Sequence, residues 1–291
     1  ISKSIKLEKF ACDNNLLTSL DVSKNIELTL LYCYNNIITN LDLTNNVKLT
    51  ELICSQNALN KLDLSNNIEL TYLKCNYNRV SKLDMSKNIK LTFLDCSING
   101  ISNLEISKNI NLERLDCSSN PISNLDISKN IKLKLLSCAI NGLTNLDVSK
   151  NIELRDLYCS YNQLSELDIS PLLNLVSLRC CNQAEDFTLF LTSEQKNKFD
   201  KGAYCNAILK EKDGNICEIE WLDIYPNPTA DRFFINSNFF ADEIKILNLA
   251  GEVLYSKTLN AEKTEIDISN LPVGVYLVIA QGKIGKVIKN E

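Results

Sequence analysis

The stretch "LTLLYCYNNIITNLDLTNN", Leu28 to Asn46, decides the fold of this chain. At its start, two apolar residues alternate with neighbours that would face the other way: Leu31 and Cys33 with Leu30, Tyr32 and Tyr34. A period of two is typical of a β-strand that buries one face. The apolar frame then continues at Ile38, Leu41 and Leu43. The stretch predicts one short strand followed by an extended turn on the outer side.

The same frame recurs every 21 residues, and cysteine marks it most clearly. Nine cysteines keep this spacing: Cys12, Cys33, Cys54, Cys75, Cys96, Cys117, Cys138, Cys159 and Cys180. An asparagine stands three residues after each of the first eight: Asn15, Asn36, Asn57, Asn78, Asn99, Asn120, Asn141 and Asn162. A spacing held without slippage indicates stacked coils that share one core. With strands about 4.8 Å apart, the coils predict a parallel sheet roughly 40 Å long.

Written generally, the repeat reads LxxLxCxxNxLxxLDLSxNxx, and from Leu7 to Leu164 it resembles the leucine-rich repeat. The family signature LxxLxLxxNxL is matched with cysteine at the third apolar position. The resemblance implies an α/β-type leucine-rich repeat solenoid over residues 1–183, dominated by a parallel β-sheet with little helix. Because "ISKSIKL" matches "VSKNIEL" at Val22 to Leu28, the chain begins within a coil, and we expect further repeats and a secretory leader upstream.

The repeated polar and thiol side chains are expected to be structural. The asparagines can bond the backbone of neighbouring coils. The cysteines should behave as small apolar residues, because parallel Cβ vectors about 5 Å apart suit a disulfide poorly; a cysteine metal site is the alternative. An acidic column should cap its own turns through the Ser or Thr two residues on, with Ca²⁺ binding as the alternative: Asp21, Asp42, Asp63, Asp84, Glu105, Asp126, Asp147 and Asp168.

A second column of charges nearly alternates in sign and should fix the register of the stack. Its members share one phase of the repeat: Lys6, Glu27, Lys48, Glu69, Lys90, Asn111, Lys132 and Glu153. Adjacent coils would then meet opposite charges, and a slipped stack would lose that match.

Composition excludes several classes of function. The net charge is −5 without a concentrated basic face, so nucleic-acid binding is not expected. Histidine is absent, which removes the commonest general base and the usual partner of a Ser or Cys nucleophile. No apolar run approaches the roughly 20 residues of a membrane span. We therefore expect no catalytic residue, no metal, no cofactor and no transmembrane segment.

The repeat decays after Cys180, and residues 184–219 are predicted to cap the last coil. "FTLFLTSEQKNKFDKG" indicates a strand and then a helix over residues 193–200, with Thr192 as N-cap and Gln195 three residues later. Cys181, Cys205 and Cys217 lie off the 21-residue spacing and allow three single bridges, of which Cys205–Cys217 closes the shortest loop.

Residues 220–291 form a second predicted domain, a small all-β antiparallel sandwich. Short apolar runs such as "RFFINS", "EIKILNL" and "VYLVIAQ" are separated by turn signals at Gly251 and Gly274, glycines that suit positive φ. The proline pair Pro226 and Pro228 should hold an extended leader and end the preceding strand.

The same residues resemble the type IX secretion sorting domain of Bacteroidota. The resemblance is carried, in order, by "YPNP", "IKILNLAGEVL", "IDISNLPVGVYLV" and "GKVIK", and it implies that the chain is secreted or displayed on the outer membrane after recognition by a translocon. It assigns the motif to Tyr225, Pro226, Asn227, Pro228, Gly251, Gly274, Tyr276 and Lys286.

The solenoid must then carry the function of the exported protein. The outward positions of the concave sheet are rich in aromatic and charged side chains, the usual anchors of an interface. They predict a binding face for an extracellular protein or glycan, in adhesion or host interaction: Tyr32, Tyr34, Tyr72, Lys74, Tyr77, Phe93, Asp95, Arg114, Asp116, Asp156, Tyr158, Tyr161 and Arg179. Two alternatives stay open, a structural spacer and a carbohydrate-active enzyme that uses Asp95 and Asp116.

Overall fold

A computed structural model describes residues 3–212, 223–236, 244–248, 252–257, 263–280 and 283–290. The chain divides into two compact units, Ile1–Gly214 and Asn215–Glu291. Each unit has its own hydrophobic core among the described residues.

The first unit is a solenoid in which almost every coil contributes a three-residue strand. The first ten strands are β1 Lys9–Ala11, β2 Leu30–Tyr32, β3 Glu51–Ile53, β4 Tyr72–Lys74, β5 Phe93–Asp95, β6 Arg114–Asp116, β7 Leu135–Ser137, β8 Asp156–Tyr158, β9 Glu166–Asp168 and β10 Ser177–Arg179. All of these except β9 form one parallel sheet in chain order. Neighbouring strands pair residues 21 apart, as Leu31 pairs with Leu52, so the 21-residue period predicted this register.

The core consists of the apolar frame that the sequence repeats. In β2 to β8, and in β10, the central leucine is buried, and so is the cysteine that follows the strand. Burial raises the pKa of the Cys33 and Cys180 thiols to about 12. The thiols between them are also buried, and burial raises their pKa well above its ordinary value, as expected of apolar core residues.

Two asparagine ladders run through the coils, and only the first was predicted. Asn57 donates to the carbonyl oxygens of Cys33, Cys54 and Ser55 at 2.9–3.2 Å and accepts the Ile38 N–H at 3.0 Å. The second ladder comprises Asn25, Asn46, Asn67, Asn88, Asn109, Asn130 and Asn151, all fully buried. Both ladders tie each coil to the one before it.

The outer turns follow the predicted pattern, and the charge column forms two of its predicted ion pairs. Each carboxylate of the acidic column accepts the backbone N–H two residues on, as Asp84 does from Ser86 at 2.9 Å. Lys48 pairs with Glu27 at 2.5 Å and Lys90 with Glu69 at 2.6 Å. These exposed pairs contribute only about 0.2–1 kcal/mol each, so their effect on stability is small.

A cap follows the last coil. Strands β11 Thr188–Leu191 and β12 Ile208–Glu211 extend a second parallel sheet from β9, in the order β12-β11-β9. Helix α1, Ser193–Lys198, has the predicted capping box between Thr192 and Gln195. It ends before the predicted Asp200 because Phe199 is extended, with φ −97° and ψ 135°. A second helix, α2, covers Lys201–Tyr204.

A disulfide joins the cap to the last coil, between Cys181 and Cys205. Their Cα atoms lie 5.2 Å apart, within the range for a bridge. The short-loop pairing Cys205–Cys217 is therefore wrong, since Cys205 is already bonded; Cys217 lies outside the described residues.

The second unit has two antiparallel sheets. One contains β13 Asp223–Tyr225, β14 Arg232–Asn236 and β17 Lys263–Asp267. The other has the order β16-β15-β18-β19, formed by β15 Ile244–Leu247, β16 Val253–Lys257, β18 Gly274–Ala280 and β19 Lys283–Lys289. Phe233 and Ile266 of the first sheet share one core with Ile246, Tyr276 and Val287 of the second, which accounts for the alternating apolar pattern of these strands.

Candidate functional site

The outward side of the nine-stranded sheet is the part of the solenoid that differs from coil to coil. The first strand position reads Lys, Leu, Glu, Tyr, Phe, Arg, Leu, Asp and Ser from β1 to β10, whereas the buried central position is leucine in all but β1. The core leaves these outward positions free because their side chains point away from it.

Ten of the thirteen predicted site residues lie within the strands and face outward: Tyr32, Tyr72, Lys74, Phe93, Asp95, Arg114, Asp116, Asp156, Tyr158 and Arg179. Tyr34 lies two residues beyond the end of β2. Tyr77 and Tyr161 were predicted on the strand face, but they occupy the turn beyond it, with φ of 54° and 59°. That turn position is left-handed in every coil from Asn14 to Asn182, so its side chain leaves the line of the strand.

An aromatic pair forms the centre of the site. The rings of Tyr72 and Phe93 stack with centroids 4.2 Å apart and planes at 16°. Strands β4 and β5 place them opposite each other. The Lys74 ammonium lies 5.8 Å from the Tyr72 centroid and 5.4 Å from that of Phe93, within the range of a cation–π contact. The three side chains are half-buried and together form an apolar ridge with a positive charge at one side.

Two carboxylates continue the site along the sheet. Asp95 and Asp116 are paired neighbours on β5 and β6. Asp95 accepts from the N–H and the hydroxyl of Ser97, at 3.1 and 2.7 Å. Asp116 accepts in the same way from Ser118, whose hydroxyl also lies 3.1 Å from that of Ser137.

Partial burial raises the pKa of the Asp95 carboxyl, and the neighbouring Asp116 adds to that rise, while the Ser97 hydrogen bonds oppose it. The Asp95 side chain is half-buried although it stands at an outward position of its strand.

Two more contacts involve predicted residues near the ends of the sheet. Tyr32 donates to Glu51 at 2.6 Å, and this hydrogen bond, with burial, raises the pKa of Tyr32 to about 12. Tyr158 contacts the Ser177 hydroxyl at 3.1 Å. The partners Glu51, Ser97, Ser118, Ser137 and Ser177 were not predicted. The 21-residue register contained the signal, since each stands at an outward position or just after its strand.

The predicted sorting residues lie in the second unit. Tyr225 ends β13, and the exposed prolines at 226 and 228 follow it, as expected of residues that stop a strand. The Tyr276 hydroxyl donates to the Pro272 carbonyl oxygen. Gly274 was predicted at positive φ but opens β18 in the strand ladder opposite Lys289. Gly251 lies outside the described residues.

Comparison with known proteins assigns the second unit. Residues 223–290 match the family model "Secretion system C-terminal sorting domain". Ulvan lyase NLR42 of Nonlabens ulvanivorans is 32% identical over 76 residues, which amount to 25% of this chain and 14% of the lyase. The sorting domain indicates export by a type IX secretion system to the cell surface or the extracellular space.

Solved structures assign the fold of the first unit. The match to a Leptospira interrogans LRR protein spans 64% of this chain and 57% of the Leptospira chain, with a TM-score of 0.54 and 21% identity. The match to an internalin C2 from Listeria monocytogenes spans 72% of this chain and 84% of the internalin chain, with a TM-score of 0.52 and 18% identity. The match to a plant ice-binding protein spans 72% of this chain and 77% of the ice-binding chain, with a TM-score of 0.59 and 19% identity.

The chain is therefore a leucine-rich repeat solenoid with a secretion sorting domain. Among the helices in the described residues, none has the length and apolarity that a bilayer span requires.

Proposed function

We propose that this exported leucine-rich repeat protein binds an extracellular protein or glycan through the outward face of its nine-stranded sheet. The stacked pair Tyr72 and Phe93 carries the proposal. Aromatic side chains anchor interfaces because they bring a large contact area at a small loss of conformational entropy. Adhesion or host interaction is the role that this binding would serve at the cell surface.

The contrast between faces within the chain supports this proposal. The core frame, the asparagine ladders and the outer turns repeat almost unchanged, while the outward strand positions carry a different side chain in nearly every coil. A structural spacer needs the repeating parts only. An aromatic stack flanked by Lys74, Arg114 and two carboxylates gives the face one distinctive region at β4 to β6.

The carboxylates contribute polar contacts to the ligand in this account, not catalysis. Adjacent strands lie about 4.8 Å apart, close to the separation of a retaining glycosidase pair. However, the Oδ1 atoms of Asp95 and Asp116 are each held by two hydrogen bonds from the serine two residues on. That arrangement orients both groups in one state and favours fixed acceptors for a ligand.

The test compares two double variants of the full chain. Tyr72→Ala with Phe93→Ala removes the half-buried stack. Ile110→Ala with Ile131→Ala is the control, since these isoleucines are exposed apolar side chains on adjacent coils and lie outside the strands. Both are screened, with the wild type, against an array of purified extracellular polysaccharides and surface proteins. Thermal unfolding verifies that the coils remain folded.

We expect at least one array component to bind the wild type and the isoleucine variant, and to bind the Tyr72/Phe93 variant more than tenfold more weakly. A ligand bound equally by all three forms would move the site away from this face. The enzyme alternative would instead be supported if the wild type hydrolysed a polysaccharide that it binds, and if Asp95→Asn or Asp116→Asn still bound that polysaccharide without hydrolysing it.

A further inference from the structure

The first and last motifs of the sorting domain are joined by one asparagine. Asn227 Nδ2 donates to the Lys286 carbonyl oxygen at 2.6 Å, and its Oδ1 accepts the Ile288 N–H at 2.9 Å. An amide that bonds a C=O and an N–H on one strand edge reproduces the pairing of a neighbouring strand. Asn227 thus covers part of the open edge of β19.

Thr229 extends this pairing towards the end of the chain. Its N–H donates to the Ile288 carbonyl oxygen at 2.9 Å, and its own carbonyl accepts the Asn290 N–H at 2.9 Å. The result is a parallel bridge between Thr229 and Lys289. We call residues 227–229 together with residues 286–290 the clasp.

Lys289 anchors the clasp from inside. Its side chain is only 7% exposed, and Nζ donates to the carbonyl oxygens of Ile268, Ser269 and Leu271 at 2.9, 2.8 and 2.7 Å. These three carbonyls belong to the connection between β17 and β18. An ammonium has three N–H donors, so the three acceptors match it, and Asp231 Oδ1 at 3.3 Å balances the charge.

The three carbonyl oxygens around Nζ suit lysine by geometry as well as by charge. A guanidinium is planar and presents its donors as a fork, which does not fit three carbonyls converging on one point. Methionine has a similar length but no donor, so Lys289→Met would take one donor from each of the three carbonyls, of which that of Ile268 still accepts the Leu271 N–H at 2.9 Å. Lys257, at the end of β16 and outside the clasp, is exposed and donates to the Glu265 carbonyl oxygen at 3.0 Å.

We propose that the export machinery recognises the folded clasp and not a linear tail sequence, and that Lys289 is the positioning residue that holds the clasp together. The inference rests on the export role of residues 223–290 and is independent of the ligand of the strand face. The clasp joins segments 59 and 61 residues apart in sequence, so its combined surface exists only in the folded domain.

The experiment expresses the full chain in a bacterium with a type IX secretion system. Lys289→Met and Lys257→Met each remove one lysine charge from the sorting domain, the first inside the clasp and the second outside it. The fraction of chain that protease reaches on whole cells, or that is released to the medium, is the readout. We expect Lys289→Met to lower this fraction more than tenfold and Lys257→Met to keep it within twofold of the wild type.

A second variant separates loss of the clasp from loss of the whole fold. Asn227→Ala leaves the buried core of the domain unaltered, because Asn227 is exposed. In the purified full chain we expect faster hydrogen exchange at Ile288 and continued protection at Val278, together with reduced export.

Equal loss of export in the two lysine variants would show that export follows the charge of the domain and not the clasp, and would overturn the proposal. So would normal export of Asn227→Ala despite faster exchange at Ile288. Lost export with unchanged exchange at Ile288 would also contradict it, because the asparagine would then be read as a side chain.

Discussion

The two kinds of carboxylate in the solenoid respond to pH in opposite directions. Hydrogen bonds from Ser128 lower the pKa of Asp126 on the outer turn, whereas burial raises the pKa of Asp95 on the strand face. A lowered pKa stabilises the folded chain above the ordinary value near 3.8, and a raised pKa destabilises it there. An ionised aspartate therefore stabilises the folded chain at the outer turn and destabilises it at the candidate site.

This difference gives a prediction for Asp95→Asn and its control Asp126→Asn. At pH 7, Asp95→Asn should match or exceed the wild type in thermal stability, because the amide oxygen still accepts from Ser97 and the unfavourable charge is gone. Asp126→Asn should be less stable at pH 7. The Asp95 difference should vanish below the unfolded value near pH 3.8, and the Asp126 difference below its lowered folded pKa.

Melting temperatures between pH 2.5 and 7 check both curves. A loss of stability in Asp95→Asn at pH 7 as large as that in Asp126→Asn would contradict the assigned environment of Asp95.

The sequence predicted which residues share a column better than it predicted where a side chain points. Tyr72 and Phe93 could be placed on neighbouring strands because the 21-residue period fixes register. Their stacking depends on rotamers, which the pattern does not contain. Tyr77 was misplaced because residues two positions apart on a strand share a face only while the chain stays extended, and here the chain turns at positive φ.

At the scale of elements, the second asparagine ladder accounts for the return half of each coil. Asn88 Nδ2 donates to the carbonyl oxygens of Leu64 and Asn67 at 3.1 and 2.8 Å, within a fully buried setting. The sequence shows the segment that ends in this asparagine, as in "LDVSKN", in every coil from Asn25 to Asn151. The whole segment was predicted to be an outer turn, because a run of polar residues does not reveal which side chain points into the core.

Asn88→Asp tests this ladder. The carboxylate is nearly isosteric with the amide but has no N–H, so the carbonyls of Leu64 and Asn67 each keep a backbone N–H but lose their second donor and face a like-signed oxygen. We expect a loss of at least about 2 kcal/mol in the free energy of unfolding. Asn103→Asp, an exposed site on the next coil, should change it by less than about 0.5 kcal/mol.

Urea denaturation followed by circular dichroism measures both variants. Equal effects at Asn88 and Asn103 would show that the buried ladder does not hold the coils together.

For the cap, the sequence predicted the position of the helix but not the disulfide that joins the cap to the last coil. A capping box is a local signal, so Thr192 and Gln195 could be identified from four residues. The Cys181–Cys205 bridge depends on the last coil and α2 meeting in space, which no local pattern records. The same limit explains why the clasp of the sorting domain, formed by residues about 60 positions apart, was not predicted.

Removal of the bridge should loosen the cap more than the coils. Its ends are 24 residues apart in sequence, for which loop closure gives about 3 kcal/mol. In a chain with Cys181→Ser and Cys205→Ser, amide exchange in β11 and β12 should quicken by up to about 100-fold. Exchange in β4 and β5 should stay close to wild type because each coil depends mainly on its neighbours.

Hydrogen exchange with mass analysis of peptides from both regions measures this difference. A uniform change along the whole solenoid, or none in the cap, would contradict a local role for the bridge.

At the scale of the whole molecule, the two units have different roles. The solenoid repeats a core that leaves one sheet face free to vary, and the sorting domain contains the features that link the chain to export. The proposed binding face has a purpose only if the solenoid reaches an extracellular ligand.

One measurement tests that claim most directly: protease shaving of whole cells that produce either the full chain or a chain lacking residues 223–290. We expect peptides of residues 3–212 to be released from intact cells only when the sorting domain is present. Release from both forms, or from neither while the full chain is abundant inside the cells, would contradict an exported solenoid whose strand face meets an external ligand.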